Sequence, residues 1–554
     1  MERMTRCSGA VSVRDLGYTP RGASLPVLSG ISFDVCPGEL VLLAGPSGSG
    51  KTTMLRAIKP EPPLPGLLSG VLTVGGRDIR QMSSAEQAEA IGFVSRDPEG
   101  QTVTDTVSSE LAVCAENLGY PSSLTALRVA ETASWFGIDG IVDKKTSTLS
   151  GGKKQLLALA AAAVTHPSLL LLDEPTSGLD PVAAESFLSA VKRLNRELGI
   201  TIIIAEHRLG PLLGDASRLL LLDGGKLVFD GDPREGAEKL LSIRAVAPEA
   251  PAAARFAHAM GARGRLPVTV AEGRAFAAGL PVRTAAFDRQ AESPDGEPVL
   301  KMRNVRFRYE KDMPDVLKNF SVDLHTGESA ALLGGNGSGK TTVLLTAAGI
   351  LRPYAGVCRI FGEDPSAGKT RRKREPGKRI GILPQNVRLL FSGFSVKEEL
   401  KAAGVPDADI PEALKGRLET CSYDLSGGES RLLGLAMVLA QKPGLLLLDE
   451  PTCGLDGGAK EDLASLIRKL ASDGVAVLTV THDCEFAAEC SDRVIMMFDG
   501  RAAGSGAPGE FFCEADFYTT DIRRITSPFA GGCVTLSDAL SAFEAKDSGE
   551  GGEP

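Results

Sequence analysis

Two stretches of the 554-residue chain carry groups suited to phosphate chemistry. GPSGSGKTT, Gly45 to Thr53, and GGNGSGKTT, Gly334 to Thr342, both match the pattern G-x-x-x-x-G-K-[ST]. Glycines let the main chain wrap a phosphate without Cβ clashes, their amides point inward, a lysine adds a point charge, and the next hydroxyl can ligate Mg²⁺. The cradle residues are Gly45, Ser47, Gly48, Gly50, Lys51, Thr52 and Thr53 in one copy. In the other they are Gly334, Asn336, Gly337, Gly339, Lys340, Thr341 and Thr342. A plain Gly-rich turn before a helix is the competing reading, and the full eight-residue pattern after an apolar run argues against it.

Further along each copy lies LSGG, then LLLLDEP, then a histidine. Asp173 with Glu174 and Asp449 with Glu450 are adjacent carboxylates at the end of a leucine run. Beside a phosphate loop such a pair reads as a Mg²⁺ ligand next to a general base. Ser150-Gly151-Gly152 and Ser426-Gly427-Gly428 open Ala/Leu-rich segments, so each offers main-chain amides and a helix N-terminus to an anion. His207 closes TIIIAEH and His482 closes VAVLTVTH. Alone, each would be a polar exit from a strand, but their order after the loop and the carboxylates points to the γ-phosphate.

The elements that must position these groups follow from the pattern. Runs of four apolar residues suit strands buried on both faces of a parallel sheet, whose C-terminal ends are where open α/β sheets place ligands. Val11 to Leu16 alternates like a half-buried strand. Leu40 to Ala44, Ile91 to Val94 and Ile380 to Leu383 read as further strands, and Val182 to Leu198 as a helix. Asp173 and Asp449, like Ser150 and Ser426, lie 276 residues apart. A repeat at this period is a domain duplication, not a solenoid.

Composition narrows the alternatives. A net charge of −9 with 5% aromatic residues gives no electrostatic footprint for nucleic acid, which is not expected as a partner. The longest clean apolar run near the first LSGG, Leu156 to Val164, is too short for a membrane span, and no intrinsic span is expected. The N-terminus has arginines but no apolar core of a signal peptide. Ten scattered cysteines without a C-x-x-C pair fit reduced thiols. The Lys/Arg-dominated run Gly368 to Arg379 reads as a solvated face, with anionic lipid contact as the lesser reading. Residues 546–554 are disordered by composition.

Ala245 to Pro298 is too apolar to be only a tether. It contains Val268-Thr269-Val270-Ala271-Glu272-Gly273, and the C-terminal piece contains the similar Val534-Thr535-Leu536-Ser537-Asp538-Ala539. Each half is therefore expected to carry its own extension. The division read from the sequence is 1–240, an extension 241–290, a linker 291–298, a second domain 299–508, its extension 509–545, and the tail.

With five ordered motifs present twice, the chain resembles a pair of fused nucleotide-binding domains of ATP-binding cassette (ABC) transporters over nearly its whole length. DPEGQ (Asp97 to Gln101), ENLG (Glu116 to Gly119), AEHRL (Ala205 to Leu209), FYTTDIRR (Phe517 to Arg524) and the paired extensions are similar to energy-coupling factor and cobalt-type importer ATPase subunits. The resemblance implies an α/β fold of two P-loop domains. Each would have a mostly parallel sheet core, an antiparallel β subdomain, a helical subdomain and a small C-terminal extension. It implies ATP and Mg²⁺ as ligands, with head-to-tail pairing that places each ATP between one half's phosphate loop and the other half's Ser-Gly-Gly turn. Thr52 with Asp173, and Thr341 with Asp449, would hold Mg²⁺. Glu174 and Glu450 would polarise water, His207 and His482 would contact the γ-phosphate, and Tyr18 and Tyr309 would stack on adenine.

The same resemblance implies integral membrane partners, a transmembrane coupling protein and a substrate-binding membrane protein, and a place on the cytoplasmic face of the cell membrane. An export pump and a soluble ribosome-associated twin-cassette ATPase are the other readings. One departure stands out. Where the family carries a glutamine that reaches Mg²⁺, the second half has Gln385 and the first has Arg96. A guanidinium has no acceptor for a cation, so the Lys51 site is expected to be the slower one.

Overall fold

The leucine quartets Leu169–Leu172 and Leu445–Leu448 are wholly buried, each on the strand next to an edge of its own sheet. The computed structural model describes residues 9–23, 25–60, 63–283, 298–365 and 379–544. The N-terminal eight residues, linker residues 291–297, all of the basic run but Arg379, and the tail lie outside the described residues. The chain forms two units, one of Met1–His258 with Ala262–Thr269, the other of Ala259–Gly261 with Val270–Pro554.

In the first unit β1 (Val11–Pro20), β2 (Leu28–Val35), β4 (Gly66–Val74) and β5 (Arg77–Asp78) make an antiparallel sheet in the order β2-β1-β4-β5. The second sheet holds β3 (Leu40–Ala44), β6 (Ile91–Val94), β7 (Leu169–Asp173), β8 (Thr201–Ala205), β9 (Arg218–Asp223) and β10 (Lys226–Gly231), in the order β10-β9-β3-β8-β7-β6. All its pairings are parallel except β10 on β9. Strands β3, β7 and β8 are buried along their full length, as two-sided burial in a parallel sheet requires. Their C-terminal ends meet at one edge, with Asp173 paired to Ala205.

The second unit repeats the plan. An antiparallel sheet β12-β11-β14 is built from β11 (Leu300–Phe307), β12 (Leu317–Leu324) and β14 (Ala355–Ile360). The other sheet runs β15-β16-β17-β13-β18-β19 and uses β13 (Ser329–Leu333), β15 (Ile380–Leu383), β16 (Leu445–Asp449), β17 (Ala476–Val480), β18 (Arg493–Phe498) and β19 (Arg501–Gly506). The two copies lie 289 residues apart at Lys51 and Lys340, but 276 apart at Ser150 and Ser426. The loss falls in the helical subdomain. There the first unit has the helix Ser122–Trp135 and the second only a single turn, Glu412–Lys415.

The paired extensions are laid out differently from the division read in the sequence. The helix Val270–Ala277 belongs to the second unit and packs on the helix Asp521–Thr526. Arg274 Nε donates to the Arg524 carbonyl at 2.7 Å, Val282 bridges to Phe543, and Arg283 pairs with Glu544 at 3.0 Å. The first half's extension is therefore split at Thr269, its last part completing the extension of the second half. Among the described residues no helix is long and apolar enough to cross a membrane.

Candidate nucleotide sites

In the first unit the chain leaves β3 at Gly45 with φ 150°, where a Cβ would lie 2.2 Å from the Leu222 carbonyl oxygen. Only glycine passes there. The loop then delivers Lys51 as the first residue of the helix Lys51–Ile58. Its buried ammonium donates to the Gly45 and Pro46 carbonyls at 2.8 and 3.0 Å. Thr52 Oγ1 donates to Asp173 Oδ1 at 3.0 Å. Burial, with the Glu174 charge beside it, pushes the Asp173 carboxyl above its ordinary range, against the Thr52 hydrogen bond.

Glu174 follows with φ 47°, a conformation disfavoured for a side-chain-bearing residue, and its amide donates to the Ala205 carbonyl at 2.9 Å. Both of its carboxylate oxygens face cationic or polar groups. His207 Nε2 lies 2.8 Å from Oε1, and the Arg96 guanidinium 3.1 Å from Oε2. Burial pushes this carboxyl up. The His207 hydrogen bond and charge, then Arg96 and Lys51, outweigh it and bring the group down to about 2.

The second unit reproduces this frame. Gly334 has φ 155° and would place a Cβ 2.4 Å from the Met497 carbonyl oxygen. Lys340 Nζ donates to the Gly334 and Gly335 carbonyls at 2.7 and 3.0 Å, and Thr341 Oγ1 to Asp449 Oδ2 at 2.9 Å. Glu450 has φ 47°, and His482 Nδ1 sits 3.0 Å from its Oε2. Here the guanidinium comes from a different element. Arg431, on the helix Gly427–Leu439, donates to the Glu450 carbonyl at 2.7 Å and to the Gln385 carbonyl at 2.9 Å. Its counterpart Gln155 donates to the Ser95 carbonyl at 3.2 Å. The two copies thus hold an Arg/Gln pair in opposite order, Arg96 with Gln155 and Gln385 with Arg431.

The Ser-Gly-Gly turns also differ. Ser426 closes a capping box, its Oγ accepting from the Glu429 amide and the Glu429 carboxylate accepting from the Ser426 amide. Ser150 caps its helix without a side-chain hydrogen bond, and Lys153, where the other copy has Glu429, cannot supply the returning carboxylate of a capping box. Lys153 adds positive charge at a helix end already suited to an anion, with Lys154 paired to Glu99, whereas the other turn carries Glu429, paired to Arg417.

The expectation for Tyr18 is corrected by strand register. Tyr18 pairs with Leu28, and Phe307 with Leu317, after matching left-handed residues Asp15 and Asn304, both at φ 49°. Tyr18 is therefore the counterpart of Phe307. It is 5% exposed in the core, with its hydroxyl donating to the Pro65 carbonyl at 3.0 Å, and has no open face for a base. The place of Tyr309 is taken by Pro20. Tyr309 itself is 55% exposed, stands edge-on to Phe307, and reaches Thr342 Oγ1 at 3.1 Å above the phosphate loop.

Three further residues were not singled out by sequence for these positions. Gln101 braces the loop bearing Arg96, accepting from the Ser95 amide at 2.9 Å and donating to the Phe93 carbonyl at 2.7 Å. Glu206 lies fully buried behind the first site, accepting from the Thr176 amide and hydroxyl at 2.9 and 2.8 Å. Arg431 falls two residues beyond LSGGE. Arg431 and Glu206 were legible only as breaks between the copies, since Gln155 and Thr481 occupy the matching positions.

The donor sets suit Mg²⁺. Asp449 Oδ1 is buried without a hydrogen-bond partner. Burial foremost, with the Glu450 charge, pushes this carboxyl up to about 6, against the Thr341 hydrogen bond and the Lys340 charge. A cation would relieve both conditions. Among the described residues no cluster of three or more His, Cys, Asp or Glu side chains is built to hold a metal. One carboxylate with one hydroxyl is the pattern for an ion that keeps waters and phosphate oxygens as its other ligands.

Duplicated phosphate loops, each with a strand-end Asp-Glu pair and a histidine, define a P-loop ATPase with two cassettes. The ABC transporter family model matches residues 28–177 and 317–453, and the chain belongs to that family. An ABC transporter ATP-binding protein of Bacillus thuringiensis subsp. konkukian is 37% identical over 541 residues, covering 96% of this chain and 98% of its own. One from Streptomyces coelicolor is 34% identical over 561 residues, covering 94% and 97%. Another from Methanosarcina acetivorans is 32% identical over 537 residues, covering 91% and 87%. Among solved structures, CbiO1 from Clostridium perfringens, part of the ABC transporter complex CbiONQ, is 28% identical. It covers 42% of this chain and 95% of its own, with a TM-score of 0.38. The chain is an ABC transporter ATPase with duplicated cassettes.

Proposed function

We propose that this ATPase is the energy-coupling subunit of an importer of the energy-coupling factor type, taking up a vitamin or a transition metal. It works at the cytoplasmic face of the membrane with a transmembrane coupling protein and a substrate-binding membrane protein. The observation that carries the reading is the pair of hydrolytic frames, Lys51-Thr52-Asp173-Glu174-His207 and Lys340-Thr341-Asp449-Glu450-His482, on a chain whose halves share paired extensions.

ATP is the substrate of both sites, each completed in this proposal by the other half's Ser-Gly-Gly turn, as in paired cassettes of the family. Mg²⁺, held by Thr52 with Asp173 and by Thr341 with Asp449 alongside Gln385, would offset charge on the phosphate oxygens. Lys340 neutralises the phosphates, and the loop amides fix them in line for attack. Glu450 accepts a proton from water as the water oxygen bonds to the γ-phosphorus and the bond to ADP breaks. His482, held by Glu450, is placed to contact the transferring phosphoryl group. Loss of the γ-phosphate removes the charge that the two halves grip, and that difference in binding does work on the membrane partner. The Lys340 site, with Gln385 and the lysine-flanked Ser150 turn, is the faster of the two.

Purification of the tagged chain from detergent-solubilised membranes tests the partner reading. Co-purification of a small multispanning protein together with a substrate-binding membrane protein supports it. Recovery with ribosomal proteins, or with an exporter's membrane domain, overturns it.

A further inference from the structure

We infer that Arg96 is an inhibitory positioning residue. Its guanidinium clamps the Glu174 carboxylate, so the Lys51 site holds ATP in a slow state instead of merely lacking a metal ligand. The inference rests on Glu174 being the general base of that site, as proposed above.

The geometry is confined to one unit. Arg96 lies just beyond β6, on a loop braced by Gln101, and reaches across the strand ends to Glu174 Oε2 at 3.1 Å, while His207 holds Oε1 at 2.8 Å. The Glu174 side chain is 10% exposed and the Arg96 side chain 37%, so the carboxylate end of the pair is shielded while the guanidinium reaches it from the solvent side. A general base must turn one oxygen toward the attacking water within hydrogen-bond reach. His207 takes Oε1. The Arg96 guanidinium stands 3.1 Å from the buried Oε2 as an ion pair without a hydrogen bond, holding the carboxylate by charge and crowding the oxygen that water would approach. In the second unit the guanidinium is moved to Arg431, which binds the main-chain oxygens of Glu450 and Gln385. That arrangement braces the backbone of the base and leaves its carboxylate with His482. The inverted Arg/Gln order thus converts a brace into a clamp. A site slow only for want of a metal ligand would recover with Arg96→Gln but not with Arg96→Ala. A clamp predicts recovery when any neutral side chain is substituted.

The test uses the full chain in a Glu450→Gln background, so that residual turnover reports the Lys51 site, read as single-turnover hydrolysis of [γ-³²P]ATP. Arg96→Ala and Arg96→Gln are expected to speed that turnover about tenfold, while Arg96→Lys, which keeps the charge, stays near the parent rate. Retention of fluorescent ATP should change little, since the effect lies on the chemical step. A fall or no change in rate for Arg96→Ala, with ATP still retained, overturns the clamp, even where Arg96→Gln recovers. Turnover persisting at the parent rate in Glu174→Gln/Glu450→Gln instead overturns the assignment of Glu174 as base. The two failures are therefore distinguishable.

Discussion

Tyr18 and Phe307 hold one and the same register position, opposite Leu28 and Leu317, so the first half has a proline where the second has Tyr309. With Tyr309 in the proposed role of stacking on adenine, the two sites would differ in what they offer the base as well as in what they offer the phosphates. Tyr309→Ala should weaken ATP affinity at the Lys340 site about tenfold, the lower range for a base stacked on an aromatic ring. Tyr18→Phe should leave affinity untouched and cost about 1 kcal/mol of stability through the lost Pro65 hydrogen bond. Nucleotide titration and thermal melts of both variants check this, and equal affinity losses would refute the register argument.

Asymmetry should be visible in steady-state turnover of the unmodified chain. Glu450→Gln is expected to remove ATPase activity by roughly 10² to 10⁴ fold, whereas Glu174→Gln removes less than half of it. Equal losses in the two variants would mean equal sites.

The raised Asp449 carboxyl and its buried oxygen without a hydrogen-bond partner suit the Mg²⁺ role proposed for it. Asp449→Asn should shift the Mg²⁺ concentration for half-maximal ATPase upward by about tenfold or more, and chelation should abolish turnover in every variant. A Mg²⁺ titration of the purified chain provides the check.

Glu206 gives a pH signature in the first unit. Burial foremost, with the Glu174 charge, raises its carboxyl to about 7 from an ordinary 4.5, against the Thr176 hydrogen bonds. Unfolding between those values releases a proton, so the stability held below pH 4.5 is lost as pH rises through about 7. The effect reaches at most about 3 kcal/mol. Glu206→Gln keeps an oxygen for Thr176 and should melt higher than the parent at pH 8 while matching it at pH 4.5. A constant difference across that range would disprove the coupling.

The phosphate loops, the carboxylate pairs and the parallel sheets were legible because their residues act through short, periodic patterns: four leucines need two-sided burial, and Gly45 and Gly334 need their φ values whatever surrounds them. Tyr18 was misread because an aromatic near a strand end looks alike in either register. Only pairing with Leu28 shows which face it takes. The target of Arg96 was equally hidden, since 78 residues of chain separate it from Glu174 and the ion pair exists only once β6 and β7 lie side by side. The shift in the extension was invisible for a related reason: VT-x-x-acidic segments look the same whichever half they pack upon.

That shift bears on how such a gene could be divided. Because Val270–Ala277 and Arg283 are built into the second unit, a cut introduced between residues 284 and 297 would not separate two self-sufficient products. The upstream polypeptide would end in a segment already seated on its neighbour, through the Arg524 carbonyl, Phe543 and Glu544. Fission of the reading frame at that point should thus yield a stable two-chain ATPase, whereas a break at Thr269 would leave the helix Val270–Ala277 on the downstream product, with the unit it completes.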